Sequence, residues 1–257
     1  VRFPLLPACV ALAFAAALPL PAHAQNPATT VSIDANANRR AIDPRIYGVA
    51  YATDVQLADL NAPLHRSGGN TTTTYNWLQN AANHDFDYFF QSLPEGPGIA
   101  GEAGDTFVQT SKTGLAQPML AIPMIGWVAK LGPGRGKLTS FSIAKYGAQC
   151  SNDFMYYPDS GDGLKPDCVT FVTGNDPNDA YVPSDTNFQR AWVQHLVTQW
   201  GTAAAGVVKY YILDNEHSIW FSTHRDVFPV GPHATDIRDR MIAYGSMIKS
   251  VDAGAEV

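Results

Sequence analysis

Short apolar runs of strand length alternate along this chain with longer segments of helical period, and that alternation most constrains its fold. Ile46–Ala50 is a strand candidate and Leu64–Arg66 a weaker one, ended by Gly68-Gly69-Asn70. Residues 101–115 carry a helical pattern, and PMLAIPMIGWV at 118–128 is an apolar run of strand length. Within 186–204, Phe188, Trp192, Val193, Leu196, Val197 and Trp200 form a stripe of period near 3.6. Val207–Leu213 is a further strand, 236–250 a further helix, and AEV at 255–257 begins another strand. A helical pattern is also expected over Asp85–Leu93. Strand, helix, strand, helix in this order is the signature of an α/β fold with a parallel sheet. Four strands and the start of a fifth fall short of the eight that close a (β/α)8 barrel. The expectation is therefore a partial TIM-like barrel over residues 46–257, lacking its C-terminal part.

The N-terminus predicts an exported protein. Arg2 precedes an apolar region, Leu5–Leu18, which Pro19 and Pro21 end, and Ala22-His23-Ala24 fits a cleavage site. The expected division is a signal peptide over 1–24, a linker and extended segment over 25–45, and the barrel portion from 46. The apolar run is short for a membrane span, so an N-terminal anchor is the weaker alternative and no span is expected after cleavage. A net charge of −6 without a basic cluster argues against nucleic acid as a partner. Of three cysteines, Cys9 lies in the leader. Export makes Cys150 and Cys168 a disulfide pair, closing a loop of about 18 residues at about 3 kcal/mol if unstrained. That staple falls inside a Gly-, Pro-, Asp- and Asn-rich insertion at 131–185. An unstapled loop of that length would count against the assignment.

The chemistry concentrates in LDNEHSIW, residues 213–220. Asn215 and Glu216 follow a strand directly, and the C-terminal ends of barrel strands are where such folds hold their reacting groups. A carboxyl packed against aromatics such as Tyr211 and Trp220 loses hydration, which favours its neutral, proton-donating form. Glycoside hydrolysis needs such an acid, and an adjacent amide can bind a sugar hydroxyl. A buried ion-paired Glu, or Asp and Asn capping the next helix, is the competing reading.

Several other groups invite a functional reading. Trp127 is either a sugar-stacking platform or a core aromatic; Trp77 reads as packing. Asn70-Thr71-Thr72 matches a glycosylation sequon, although a capping role for Asn70 is the better reading. GPGRGKLT at 132–139 fails the glycine spacing of a phosphate-binding loop. Asp159, Asp162 and Asp167 lack calcium-loop spacing and read first as a solvated acidic loop. His224, Asp226 and His233 show no metal-ligand spacing, and no G-x-S-x-G elbow supports a serine hydrolase.

LHRSGGNTTTTYNW, GWVAK, AKYGAQ and YYILDNEHSIWFSTHRDV together resemble the sequence blocks of glycoside hydrolase family 44, from about Val31 onward. The resemblance implies a TIM-like barrel beside a β-sandwich domain, to which the N-terminal extended strand would belong. It implies secreted, retaining endo-hydrolysis of β-1,4-glucan or xyloglucan, with β-glucan or a related polysaccharide as partner. No cofactor is implied for the chemistry; members of the family can carry a structural calcium, with its ligands in this chain unknown. Carried over by position, Glu216 is the acid/base and Asn215 binds sugar at the reacting subsite. Arg66 sits beside the nucleophile, and His224 lines the cleft. His217 departs from the family's usual proline. The nucleophile, a second Glu after barrel strand seven, has no counterpart up to Val257, so the chain alone is expected to be inactive. The alternative is a secreted, non-catalytic carbohydrate-binding protein, or an inactive remnant, using the same cleft.

Overall fold

The computed structural model describes residues 30–257. The leader, its cleavage point after Ala24 and the start of the linker lie outside the described residues. The chain divides into two units at Ala41/Ile42. Of the first, residues 30–41 are exposed and turn at 35–38, where Asp34 accepts from the Ala37 and Asn36 N–H groups at 3.2 and 2.9 Å. The expected extended strand does not form there: Asp and Asn side chains bond their own backbone and favour a turn instead.

The second unit is organised by four parallel strands: β1 (Gly48–Ala50), β2 (Leu64–Ser67), β3 (Gln117–Ile122) and β4 (Tyr210–Leu213). They lie side by side in chain order, with Val49 opposite His65, Arg66 opposite Met119 and Leu120 opposite Tyr211. Helices α1 (Asp54–Leu60), α2 (Glu102–Thr113) and α3 (Thr186–Trp200) fall in the successive crossovers, and α4 (Ala234–Val251) follows β4. Glu256 then begins a parallel pairing on β4: its carbonyl accepts from Tyr211 N–H at 2.9 Å and its N–H donates to Lys209 at 2.8 Å. The start of a fifth strand at AEV is thus present.

Local chemistry sets the element ends. Thr53 and Gln56 form a reciprocal capping box at the start of α1, and Asn61 ends it in the left-handed region at φ 48°. Asp185 caps α3 by accepting from the Asn187 and Phe188 N–H groups, each at 2.9 Å. The α3 stripe predicted from sequence buries Trp192, Val193 and Leu196 against Ile122 and Ile248 in the main core.

Two local expectations fail. Asp85–Leu93 is not a helix. Asp85–Asp87 makes one 3-10 turn, Phe89 and Phe90 take φ of 48° and 50°, and Gln91–Pro94 becomes a strand between Ala81–Asn83 and Leu138–Thr139. The 118–128 run is two strands: β3 ends before Pro123, Gly126 turns at φ 100°, and Trp127–Ala129 pairs antiparallel with Tyr181–Pro183. The insertion carries the predicted Cys150–Cys168 disulfide and a hairpin of Asn152–Asp153 with Tyr157–Gly161. Among the described residues no helix is long and apolar enough to cross a membrane.

Candidate active site

At the C-terminal end of β4 the backbone enters a conformation that side-chain-bearing residues avoid. Asp214 has φ 66° and Glu216 φ 45°, both left-handed, with Asn215 between them. Such residues cost of order 1–3 kcal/mol each and cluster at functional sites. The strain is offset by what the turn gains. Asp214 is buried and accepts from the Thr73 hydroxyl at 2.6 Å, the Asn215 N–H at 2.7 Å and the Met124 N–H. Burial pushes its carboxyl above the usual range, while these donors pull it back.

Asn215, also buried, joins two strand ends. Its side-chain oxygen accepts from the Arg66 guanidinium at 2.7 Å and from Gly69 N–H at 3.3 Å. Its amide nitrogen donates to Glu216 Oε2 at 3.2 Å, and its carbonyl accepts from the Trp220 indole at 2.9 Å. Arg66 thereby meets the β4 turn from the end of β2, without an ion pair among the described residues. Gly68 makes this possible, because a Cβ there would overlap the Arg66 guanidinium. Gly69, at φ 109°, supplies the reversal that turns its N–H toward Asn215.

Glu216 is exposed and forms no ion pair among the described residues. It borders an open hollow with His217, Ile237, Arg238 and Met241. Trp220 is buried and committed to the Asn215 carbonyl, so the expected desolvation of Glu216 against aromatics is not the arrangement found. His217 donates from its ring to the Leu213 carbonyl at 2.7 Å, closing the turn.

The other expected site residues fall elsewhere. His224 is 1% exposed, with Nδ1 3.0 Å from Asp85 Oδ1, so it is buried and does not line a cleft. Trp127 is half-buried against the main core, and no described hydrogen bond or ring contact joins it to Glu216. Trp77 stacks on Trp192 at 5.8 Å between centroids, as packing. Asn70 does not cap; Gly69 occupies the cap position, and the Asn70 amide nitrogen is buried without a partner among the described residues. Asp159, Asp162 and Asp167 each accept from nearby backbone N–H groups and do not converge. No metal-binding group of three or more His, Cys, Asp or Glu exists among the described residues. Sequence reasoning weighed Asp214 only as a helix cap and gave Thr73, Gly68 and Gly69 no site role; the adjacent glycines at the end of β2 were the available signal.

An exposed carboxyl beside a hydrogen-bonded amide and a guanidinium can exchange protons with a polar ligand and orient its hydroxyls. Known proteins resemble this chain in sequence and fold. Residues 78–257 match glycoside hydrolase family 44. The β-mannanase/endoglucanase A of Caldicellulosiruptor saccharolyticus is 28% identical over 88% of this chain and 16% of its own length. Endoglucanase A of Paenibacillus lautus is 27% identical over 97% of this chain and 35% of its own. The crystal structure of CelM2, a bifunctional glucanase-xylanase from a metagenome library, superposes with a TM-score of 0.84 at 58% identity, covering 86% of this chain and 42% of that one. A Paenibacillus polymyxa xyloglucanase gives 0.61 at 28% identity, covering 85% and 41%. The chain therefore spans less than half of each of these relatives. With the matched span running from the end of the β2 loops through Glu216 to the last residue, the chain belongs to glycoside hydrolase family 44.

Proposed function

We propose that this chain carries the acid/base half of a secreted, retaining endo-β-1,4-glucanase or xyloglucanase built on a TIM-like barrel. One observation carries the reading: an unpaired, exposed Glu216 stands at the C-terminal end of a parallel strand, tied through Asn215 to Arg66. Barrel enzymes hold catalytic groups at that face, and the in-order parallel sheet is the arrangement a barrel continues. The names of the relatives, a glucanase-xylanase, a xyloglucanase and two endoglucanases, support a β-glucan substrate.

In this reading Glu216 protonates the leaving glycosidic oxygen and then takes a proton from the water that releases the sugar. Asn215 orients the sugar at the reacting position. The second carboxylate must attack from about 5–5.5 Å away. Arg66, free of a carboxylate partner among the described residues, faces that role and would keep the nucleophile ionised. Glu256 does not supply it, being paired with Lys209 at 2.7 Å. In this reading the nucleophile is supplied from outside the described residues, and export would follow from the apolar leader expected over residues 1–24.

Glu216→Gln in the full-length protein tests the assignment. Turnover on β-glucan should fall by about 10²–10⁴ with polysaccharide binding retained. Near-normal turnover would remove Glu216 from the acid/base role. A full-length parent that binds glucan without hydrolysing it would instead favour a binding protein.

A further inference from the structure

Beneath the site lies a group of buried ionisable side chains that the proposed reaction does not use. Tyr181, Asp85, Asp226 and His224 are each at most 2% exposed. The Tyr181 hydroxyl lies 2.7 Å from Asp85 Oδ1 and 2.7 Å from Asp226 Oδ2. Ser140 donates to the same Asp226 oxygen at 2.6 Å, and His224 Nδ1 is 3.0 Å from Asp85 Oδ1.

A phenol has one hydrogen to donate. It can satisfy one of the two carboxyl contacts; the other needs a hydrogen coming from the carboxyl itself. His224 Nδ1 lies close enough to Asp85 to act as a counter-charge but outside hydrogen-bond geometry, whereas Asp226 has no ion-pair partner among the described residues. The second oxygen of Asp226, Oδ1, is buried with no hydrogen-bond partner among the described residues. That is costly for a carboxylate and much less so for the carbonyl of a neutral acid.

We propose that Asp226 is a neutral acid donating to Tyr181, and that Asp85, Tyr181, Asp226 and His224 form a proton-sharing clamp positioning the turn that carries Asn215 and Glu216. The clamp joins three parts of the chain: the 3-10 turn at Asp85, the strand at Tyr181, and the segment after the site. From His224 a continuous path leads to the turn. The path runs through the backbone that carries the imidazole: the main-chain N–H of His224 donates to the Trp220 carbonyl at 2.8 Å, and the Trp220 indole donates to the Asn215 carbonyl at 2.9 Å. These four are positioning residues, and their link to turnover rests on the function proposed for Glu216.

The surrounding charges agree with this assignment. Burial, then the nearby Asp85, pushes Asp226 up to about 6, while Ser140, Tyr181 and His224 act the other way. Burial also raises Asp85, with Asp87 adding to it and His224 and Tyr181 opposing it. Burial works against the His224 cation, but Asp85, Asp226 and Asp214 outweigh it and the net shift is upward. Arg225 is the remaining charge nearby; burial lowers it, against the pull of Asp226 and Asp162. Because the folded value for Asp226 lies above 3.8, its stabilising contribution is complete at low pH and is lost as pH rises through about 6.

The test uses the full-length protein and Asp226→Asn, whose amide reproduces the neutral acid's donor. Below about pH 6 the parent should show the infrared carbonyl stretch of a buried neutral carboxyl, and the variant should lack it. The parent's melting temperature should fall as pH rises through the same range, and the variant's fall should be smaller. The alkaline limb of the turnover profile should move up by about one pH unit in the variant, tenfold in rate on that limb. Absence of the infrared band in the parent overturns the shared proton. A turnover limb that stays in place, in a variant that has lost the band, overturns the positioning role. If Asp226→Asn does not fold, Tyr181→Phe decides: a shifted carboxyl band supports donation to the phenol, and an unshifted one overturns it. A parent without glycosidase turnover defeats the function proposed for Glu216, while the infrared and melting results still decide the shared proton.

Discussion

A methyl group on residue 68 would fall on the guanidinium of Arg66, and that overlap separates stability from function at a single position. The guanidinium is the far end of a flexible side chain, so it can swing away at little cost to the fold. Swinging away breaks its 2.7 Å bond to Asn215, which in turn holds Glu216. Gly68→Ala should therefore lower kcat/KM about tenfold to hundredfold, the worth of a hydrogen bond to a charged group, while shifting Tm little. Parallel thermal melts and glucan kinetics on the full-length protein would check it; equal losses in both would show that Gly68 serves folding. Asn215 and Glu216 were singled out through the resemblance of YYILDNEHSIWFSTHRDV to a family block, because a carboxyl and an amide at a strand end fit capping or ion pairing equally well. Gly68 and Asp214 were not legible as site residues. One acts by lacking a side chain and the other by bonding the backbone, and neither contribution is a property of a residue type in a string.

Helix α2 lies against α3 closely enough that a Cβ on Gly104 would stand 2.6 Å from the Trp192 ring. Trp192 is buried and stacked against Trp77 and His195, so the ring has nowhere to move. Gly104→Val should cost about 1–3 kcal/mol through overpacking, read as a lower denaturation midpoint at unchanged m-value. The staple in the insertion should behave differently. Reducing Cys150–Cys168 releases a loop worth about 3 kcal/mol in a region joined to the core by few apolar contacts. Limited proteolysis near residues 150–170 should accelerate before the global melt changes; coincident changes would show that the insertion folds with the core. The parallel strands and the long helices were readable from period alone, since each buries one stripe or one run. Asp85–Leu93 was not. Phe86, Phe89, Phe90 and Leu93 recur at helical spacing, but the backbone turns over at Phe89 and Phe90 to reach a strand at Leu138–Thr139. A partner that distant leaves no trace in a local window.

At the scale of the whole molecule, the parallel sheet is open on both sides among the described residues. β1 pairs only with β2, and beyond β4 only the backbone of Glu256 has begun to pair. Apolar side chains sit uncovered beside both margins: Tyr47 and Leu60 are 60% and 61% exposed near β1, and Ile242 and Val257 are 60% and 50% exposed near β4. An uncapped parallel edge flanked by apolar surface is a template for pairing with another chain, and parallel sheets are normally covered on both faces. The structural relative CelM2 is more than twice the span shared with this chain, which is room for the strands such a sheet still needs. Residues 25–257 expressed alone should therefore self-associate, giving a broad, concentration-dependent transition by light scattering and size-exclusion chromatography. A longer chain that adds strands beyond β4 should convert this into a soluble species with one cooperative melt, because added strands would cover the edges that drive association. A sharp melt from a soluble monomer of residues 25–257 would mean the four-stranded sheet is self-sufficient, and the barrel reading would lose its structural ground.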